Sequence, residues 1–251
     1  MTPKEELETA RLAFQFMTRL PIRDGAVFDK ARMAQSIRYY PGVGMAVGAC
    51  AAIAYAAGSC IAPLFAPVLA IAVAMIVTGA LHEDGLADLV DGFWGGHSIE
   101  RRLEIMRDSA IGSYGTLALI VVVLAQYSIL QSMLAWQAMF ALILGHGFSR
   151  AAVVVVMQKG RYMRATGAGE NLTTALSYEG RMIFIAQTAL LFALAIYGFG
   201  VWNSIAAFSF MALIPLSLYK LARLKIGGYT GDVLGATQQL SYIGCLAGLS
   251  L

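Results

Sequence analysis

The chain has 251 residues, 59% of them hydrophobic and only 13% charged, against about 25% charged in soluble domains. That composition excludes an ordinary water-soluble fold. The formal net charge is +3, and because the basic residues flank apolar segments in place of forming a patch, nucleic acid is excluded as a partner.

Residues 1–40 form an amino-terminal cytoplasmic or interfacial segment of what reads as a single membrane domain, 1–251. Lys4, Glu5, Glu6, Glu8 and Arg19 interrupt its apolar run, so it lacks the unbroken core of a cleavable signal peptide and is expected to be retained. Leu7, Leu12, Phe16 and Leu20 fall near helical spacing, which predicts a helix lying on the membrane or against the bundle.

Apolar stretches long enough to cross ~30 Å of hydrocarbon as helices then follow. They run about 42–58, 62–81, 115–134, 136–157, 182–200, 204–221 and 235–251. The expected fold is thus all-α, a polytopic transmembrane bundle of about seven spans with short cytoplasmic interfacial helices. Cys50, Cys60 and Cys245 lie inside apolar stretches without metal-type spacing and read as small hydrophobes. The connectors alternate between short neutral ones and long charged ones, 82–113, 158–181 and 220–234. Every Asp and Glu, and every Lys and Arg except Arg150, falls in the first segment or in those three connectors. Alternating spans place all of them on one face, which the positive-inside rule makes cytoplasmic.

The second apolar stretch ends in His82-Glu83-Asp84-Gly85-Leu86-Ala87-Asp88-Leu89-Val90-Asp91-Gly92, with four carboxylates in nine residues. On a helix Asp84, Asp88 and Asp91 share a face, and Glu83 lies to the side but is counted with them as a ligand. Like charges at this spacing repel, and a hard cation with oxygen ligands turns the repulsion into coordination. Mg²⁺ or Mn²⁺ fits best, because such ions bind through a few carboxylates together with waters and substrate phosphates. Gly85 and Gly92 are expected to let a diphosphate approach the backbone. A solvated acidic loop is the alternative.

Ser98 is expected to cap a short surface helix bearing Ile99, Leu103 and Met106 as an apolar stripe. Arg101 and Arg102 then read as headgroup anchors, while Arg107, with Asp108 beside it, is a candidate for substrate phosphate. Further on, Arg150 lies with His146 and Ser149 inside an apolar stretch and requires a partner. Either an interhelical ion pair or a phosphate contact would supply one.

The motif stretch Leu81–Asp88 is followed by Asp91-Gly92, by 102–109 (Arg-Leu-Glu-Ile-Met-Arg-Asp-Ser), by Ile111-Gly112 and by Tyr114-Gly115. Together with Phe16-x-x-Arg19-Leu20-Pro21, Gly160-Arg161-Tyr162 and Gly227-Gly228-Tyr229-Thr230-Gly231-Asp232-x-Leu234-Gly235-Ala236, it resembles the cobalamin synthase family over nearly the whole chain. The resemblance implies an adenosylcobinamide-GDP ribazoletransferase: α-ribazole, or its 5′-phosphate, displaces GMP from adenosylcobinamide-GDP. It also implies Mg²⁺ dependence and a bacterial cytoplasmic (inner) membrane location with the site facing the cytoplasm, and it leaves a homo-oligomer open. On this basis Asp84, Asp88 and Asp91 hold Mg²⁺, and Asp232 is a further ligand or base, with a helix cap as its bland alternative. His82 contacts phosphate or supports a ligand. Arg161 and Arg164, with Gly167 and Gly169, form a connector that clamps GDP or anchors the membrane face. Phe93, Trp94 and Tyr114 are available to a corrin ring or to the interface.

Two other classes compete. A CDP-alcohol phosphotransferase of phospholipid synthesis would need an Ala-Arg pair after its first Asp-Gly, where this chain has Leu86-Ala87-Asp88. An ion-coupled transporter would place its acids near the bilayer midplane, whereas these lie at one edge.

Overall fold

The computed structural model describes residues 2–22, 29–163 and 175–251. Among them the fold is all-α, with a single isolated bridge, Tyr162 to Tyr229. Helix α1 (Pro3–Met17) opens with a capping box, in which the Glu5 N–H donates to Thr2 Oγ1 and the Thr2 N–H donates back to Glu5. Its buried side is Thr9, Leu12, Ala13 and Met17, whereas Leu7 is exposed. The apolar stripe therefore differs from the one predicted. Ion pairs from Glu8 to Arg32 and from Glu6 to Arg38 fasten α1 to α2 (Lys30–Ser36) and the 3-10 turn after it. Of the two placements expected for this helix, it takes the one against the bundle.

Helix α3 (Tyr40–Ile61) packs on α8 (Ala135–Lys159) through Gly44 and Gly48, four residues apart. A Cβ on Gly48 would lie 2.5 Å from the Leu142 carbonyl oxygen. Only glycine permits this approach, the small-residue seam that membrane helices use where no hydrophobic force drives them together.

Helix α4 (Ala66–Thr78) has 13 residues, about 20 Å of rise, and so does not fill the ~30 Å hydrocarbon layer. At Gly79 and Ala80, both at positive φ, the chain turns by 89° into α5 (Leu81–Gly95). The Arg19 N–H donates to the Val77 carbonyl at 2.7 Å, closing the free end of α4. A straight span ending near residue 81 is thus replaced by a bent pair, and the acidic motif lies on the second limb.

Beyond a short α6 (Ile99–Ile105) come α7 (Ser113–Ser132) and α8, then α9 (Tyr178–Ile226) and α10 (Gly231–Leu249). At 49 residues α9 would be about 74 Å long if straight. Gly200, at φ 79°, breaks it instead. The Phe192 and Phe208 rings, sixteen residues apart in sequence, meet with centroids 5.4 Å apart, so the two arms fold back as a hairpin.

Among the described residues four helices are long and apolar enough to cross a membrane, or five if α4 and α5 count as one broken span. That test counts the α9 hairpin once and does not include α10, so it does not reach the expected seven. Helices α8 and α10 form the centre, packing on each other and between them touching α3, α5, α7 and α9. The cysteines are free thiols, as expected of small hydrophobes.

Candidate active site

The motif is helical throughout, and Asp84, Asp88 and Asp91 descend from exposed to half-buried to buried along α5. What sets α5 in place is its crossing with the first turns of α10. A Cβ on Gly85 would meet the Asp232 Cα at 3.0 Å, and one on Gly235 would meet the Gly85 Cα at 3.1 Å. The backbone that carries Asp84 and Asp88 is thereby pressed directly onto the backbone of Asp232. This also corrects the reading of the motif glycines: Gly85 is filled by α10, and Gly92 by Met106 and Arg102 of the α6 segment, so neither is open to a diphosphate.

Asp232 lies in the first turn of α10 and is buried, and its Oδ2 accepts from the Thr230 hydroxyl at 3.1 Å. The N-cap position belongs to Thr230. Asp232 is therefore not the cap residue, although a carboxylate in this turn suits the helix dipole. The turn before it is pinned by the pairing of 161–163 with 229: Tyr229 N–H donates to Arg161 O, and Met163 N–H to Tyr229 O, both at 2.9 Å. Burial pushes the Tyr229 hydroxyl up to about 12, so it stays protonated at neutral pH.

Asp91 accepts from the Gly112 N–H at 2.7 Å with Oδ2 and from the Gly115 N–H at 2.9 Å with Oδ1. It caps α7, whose own N-cap residue is a glycine with no side chain to offer. Glu83 turns the opposite way, its Oε1 accepting from Gln239 Nε2 at 2.8 Å. Thus the two outer acids hold neighbouring helices, Asp91 at α7 and Glu83 at α10, while Asp84 and Asp88 lie on either side of the glycine that meets α10. Among the described residues no three His, Cys, Asp or Glu side chains are grouped as a ready metal cage.

Ser98 caps α6 as expected, accepting from the Arg101 N–H at 3.1 Å, and Arg101 pairs with Glu104. Arg102 is no headgroup anchor: Nε donates to Gly96 O at 3.0 Å and Nη1 to Lys225 O at 2.8 Å, tying α6 to the end of α9. Arg107 and Asp108 are exposed. A cavity of about 250 Å³ beside the start of α7 is lined by Asp91, Arg101, Asp108, Gly112 and Tyr114, which brings Asp108 to the motif helix. Phe93 is buried and Trp94 and Tyr114 are exposed, with Lys225 Nζ near the first two rings. Arg161 is exposed. Arg164, Gly167 and Gly169 lie outside the described residues.

His82 and Arg150 are buried inside the bundle, not at its face. Around them runs a polar network that the sequence reading missed. Gln126 donates to Gln239 and Gln238 donates to Ser149, both at 3.0 Å. Its signal was visible: three glutamines within apolar spans need hydrogen-bond partners there.

The family model described as cobalamin-5-phosphate synthase matches residues 9–250. The chain is 35% identical to an adenosylcobinamide-GDP ribazoletransferase of Shewanella frigidimarina, over 93% of this chain and 90% of the relative. It is 36% identical to one of Mesorhizobium japonicum, over 98% and 94%, and 34% identical to one of Vibrio cholerae, over 95% and 91%. No solved structure matches the chain. A membrane bundle with a motif helix locked onto Asp232, matched from end to end in this way, belongs to the cobalamin-5-phosphate synthase family.

Proposed function

We propose that this chain joins adenosylcobinamide-GDP to α-ribazole, or to its 5′-phosphate, releasing GMP at the cytoplasmic face of a bacterial inner membrane. The observation that carries this reading is the α5–α10 crossing, which presses the backbone of the motif between Asp84 and Asp88 onto the backbone of Asp232. In the reaction the ribazole 3′-oxygen bonds to the cobinamide-linked phosphorus, the bond from that phosphorus to the bridging oxygen breaks, and GMP departs with that oxygen.

The donor set suits Mg²⁺. Asp84 and Asp88, one helical turn apart, present carboxylate oxygens, and Mg²⁺ is commonly held by one or two carboxylates with phosphates and water completing its shell. When bound there, Mg²⁺ neutralises charge on the phosphate oxygens. Asp232, across the crossing, takes the proton of the ribazole hydroxyl or supplies a further oxygen ligand. Asp91 holds the start of α7 beside the site, and Arg107, Asp108 and Arg161, on the same face, contact the phosphates or nucleoside.

The test is purified protein in detergent with adenosylcobinamide-GDP. GMP release that requires α-ribazole and stops on adding EDTA supports the reading. Release without ribazole, or undiminished by EDTA, would remove the transfer or the metal respectively.

A further inference from the structure

One cluster of buried groups plays no part in the reaction as set out above. Arg150 on α8 is 0% exposed, His82 on α5 4% and His146 on α8 6%, and His82 lies at the α5–α10 crossing, where its carbonyl meets Gly235. Arg150 Nη1 donates to the His146 carbonyl at 3.1 Å and lies 3.2 Å from His146 Nδ1. An arginine nitrogen can only donate, so Nδ1 accepts and the His146 proton sits on Nε2. Among the described residues that Nε2 has no partner, and neither do Arg150 Nε and Nη2, His82 Nε2 or Glu83 Oε2.

Hydrogen bonds from Gln239 to Glu83 and to Gln238, and from Gln238 to Ser149 beside Arg150, bring Glu83 and Arg150 into one polar interior, yet among the described residues no salt bridge joins them. A buried cation facing a carboxylate without contact, both with spare hydrogen-bonding atoms, is the setting in which internal water bridges polar groups. The other arm of Glu83 is already fixed, because Gln239 donates to it and is itself tied to Gln126 and Gln238.

We propose that Arg150 is a positioning residue: across a small cluster of buried water it holds Glu83, and with it the first turn of α5, which carries Asp84. The role rests on the proposed reading of Asp84 as part of the transfer site. Glu83 precedes Asp84 directly and shares its turn, so a displaced Glu83 displaces Asp84 relative to Asp232. Water completes both charges at once. Removing one partner therefore leaves the other buried without compensation, and removing both does little more harm than removing one.

The experiment is a double-mutant cycle on the full chain in detergent, with Arg150→Met, Glu83→Gln and the pair, read by melting temperature and by kcat and KM for GMP release. Each single variant is expected to lose at least tenfold in kcat, with KM for adenosylcobinamide-GDP within threefold of the parent. The pair should be no worse than the poorer single variant in kcat and should melt no lower. A raised KM at unchanged kcat would make Arg150 a direct phosphate contact and overturn the proposal, and so would losses that multiply in the pair. If Arg150→Met does not fold, Arg150→Gln with Glu83→Gln runs the same cycle. A parent protein that released no GMP would sink the proposed function alone, since the melting temperatures still read the coupling.

Discussion

Helices α8 and α9 are almost equally apolar, but most of the apolar stretch of α8 is buried inside the bundle and little of that of α9 is. In water such a difference would show in composition, because only the buried helix would be apolar. In a bilayer both surroundings are apolar, and hydropathy reports the crossing without reporting the interior. What separates the two is polar placement. Helix α8 carries His146, Ser149 and Arg150 and meets α3 through a glycine seam, while the outer arm positions of α9, such as Leu213 and Tyr197, face outward.

Three substitutions, with a fourth as control, would sharpen or break that contrast. The largest effect is expected for Gly48→Leu, whose side chain would enter the Leu142 backbone of α8. It should destabilise the protein by about 3 kcal/mol or more, read as a lowered midpoint of unfolding in detergent, while Gly231→Ala, with nothing within 4 Å, should leave the midpoint unmoved. Next is Arg102→Ala, which strips a donor from two backbone carbonyls at the α6–α9 junction. A loss of about 1–3 kcal/mol is expected, and no change would show that α6 does not depend on this tie. Smallest is Leu213→Ala, on a side chain 61% exposed on α9. It should stay within about 0.5 kcal/mol of the parent, and a larger loss would mean that a partner covers that face.

Much of the architecture was legible because apolar length alone marks a membrane helix, and even the α9 hairpin fell where the sequence placed a gap, between residues 200 and 204. The right-angled bend after α4 was not legible. It depends on positive φ at Gly79 and Ala80 and on the Arg19 N–H arriving from sixty residues away to close the helix end. At the site, spacing put Asp84 and Asp88 on one face, but the same spacing grouped Asp91 with them. The competing demand came from α7, which starts at Gly112 without a capping side chain and takes Asp91 from another helix. Asp232 could be tied to the motif only by family resemblance, since nothing local reveals that Gly85 and Gly235 press together.

The central claim is that transfer takes place at the α5–α10 crossing. The most direct test is ribazole-dependent GMP release by Asp84→Asn, Asp88→Asn and Asp232→Asn proteins that melt with the parent. Each should lose at least a hundredfold, because the isosteric amide keeps the packing and removes the charge. Folded variants that all release GMP within twofold of the parent rate would contradict the claim and move the chemistry away from this crossing.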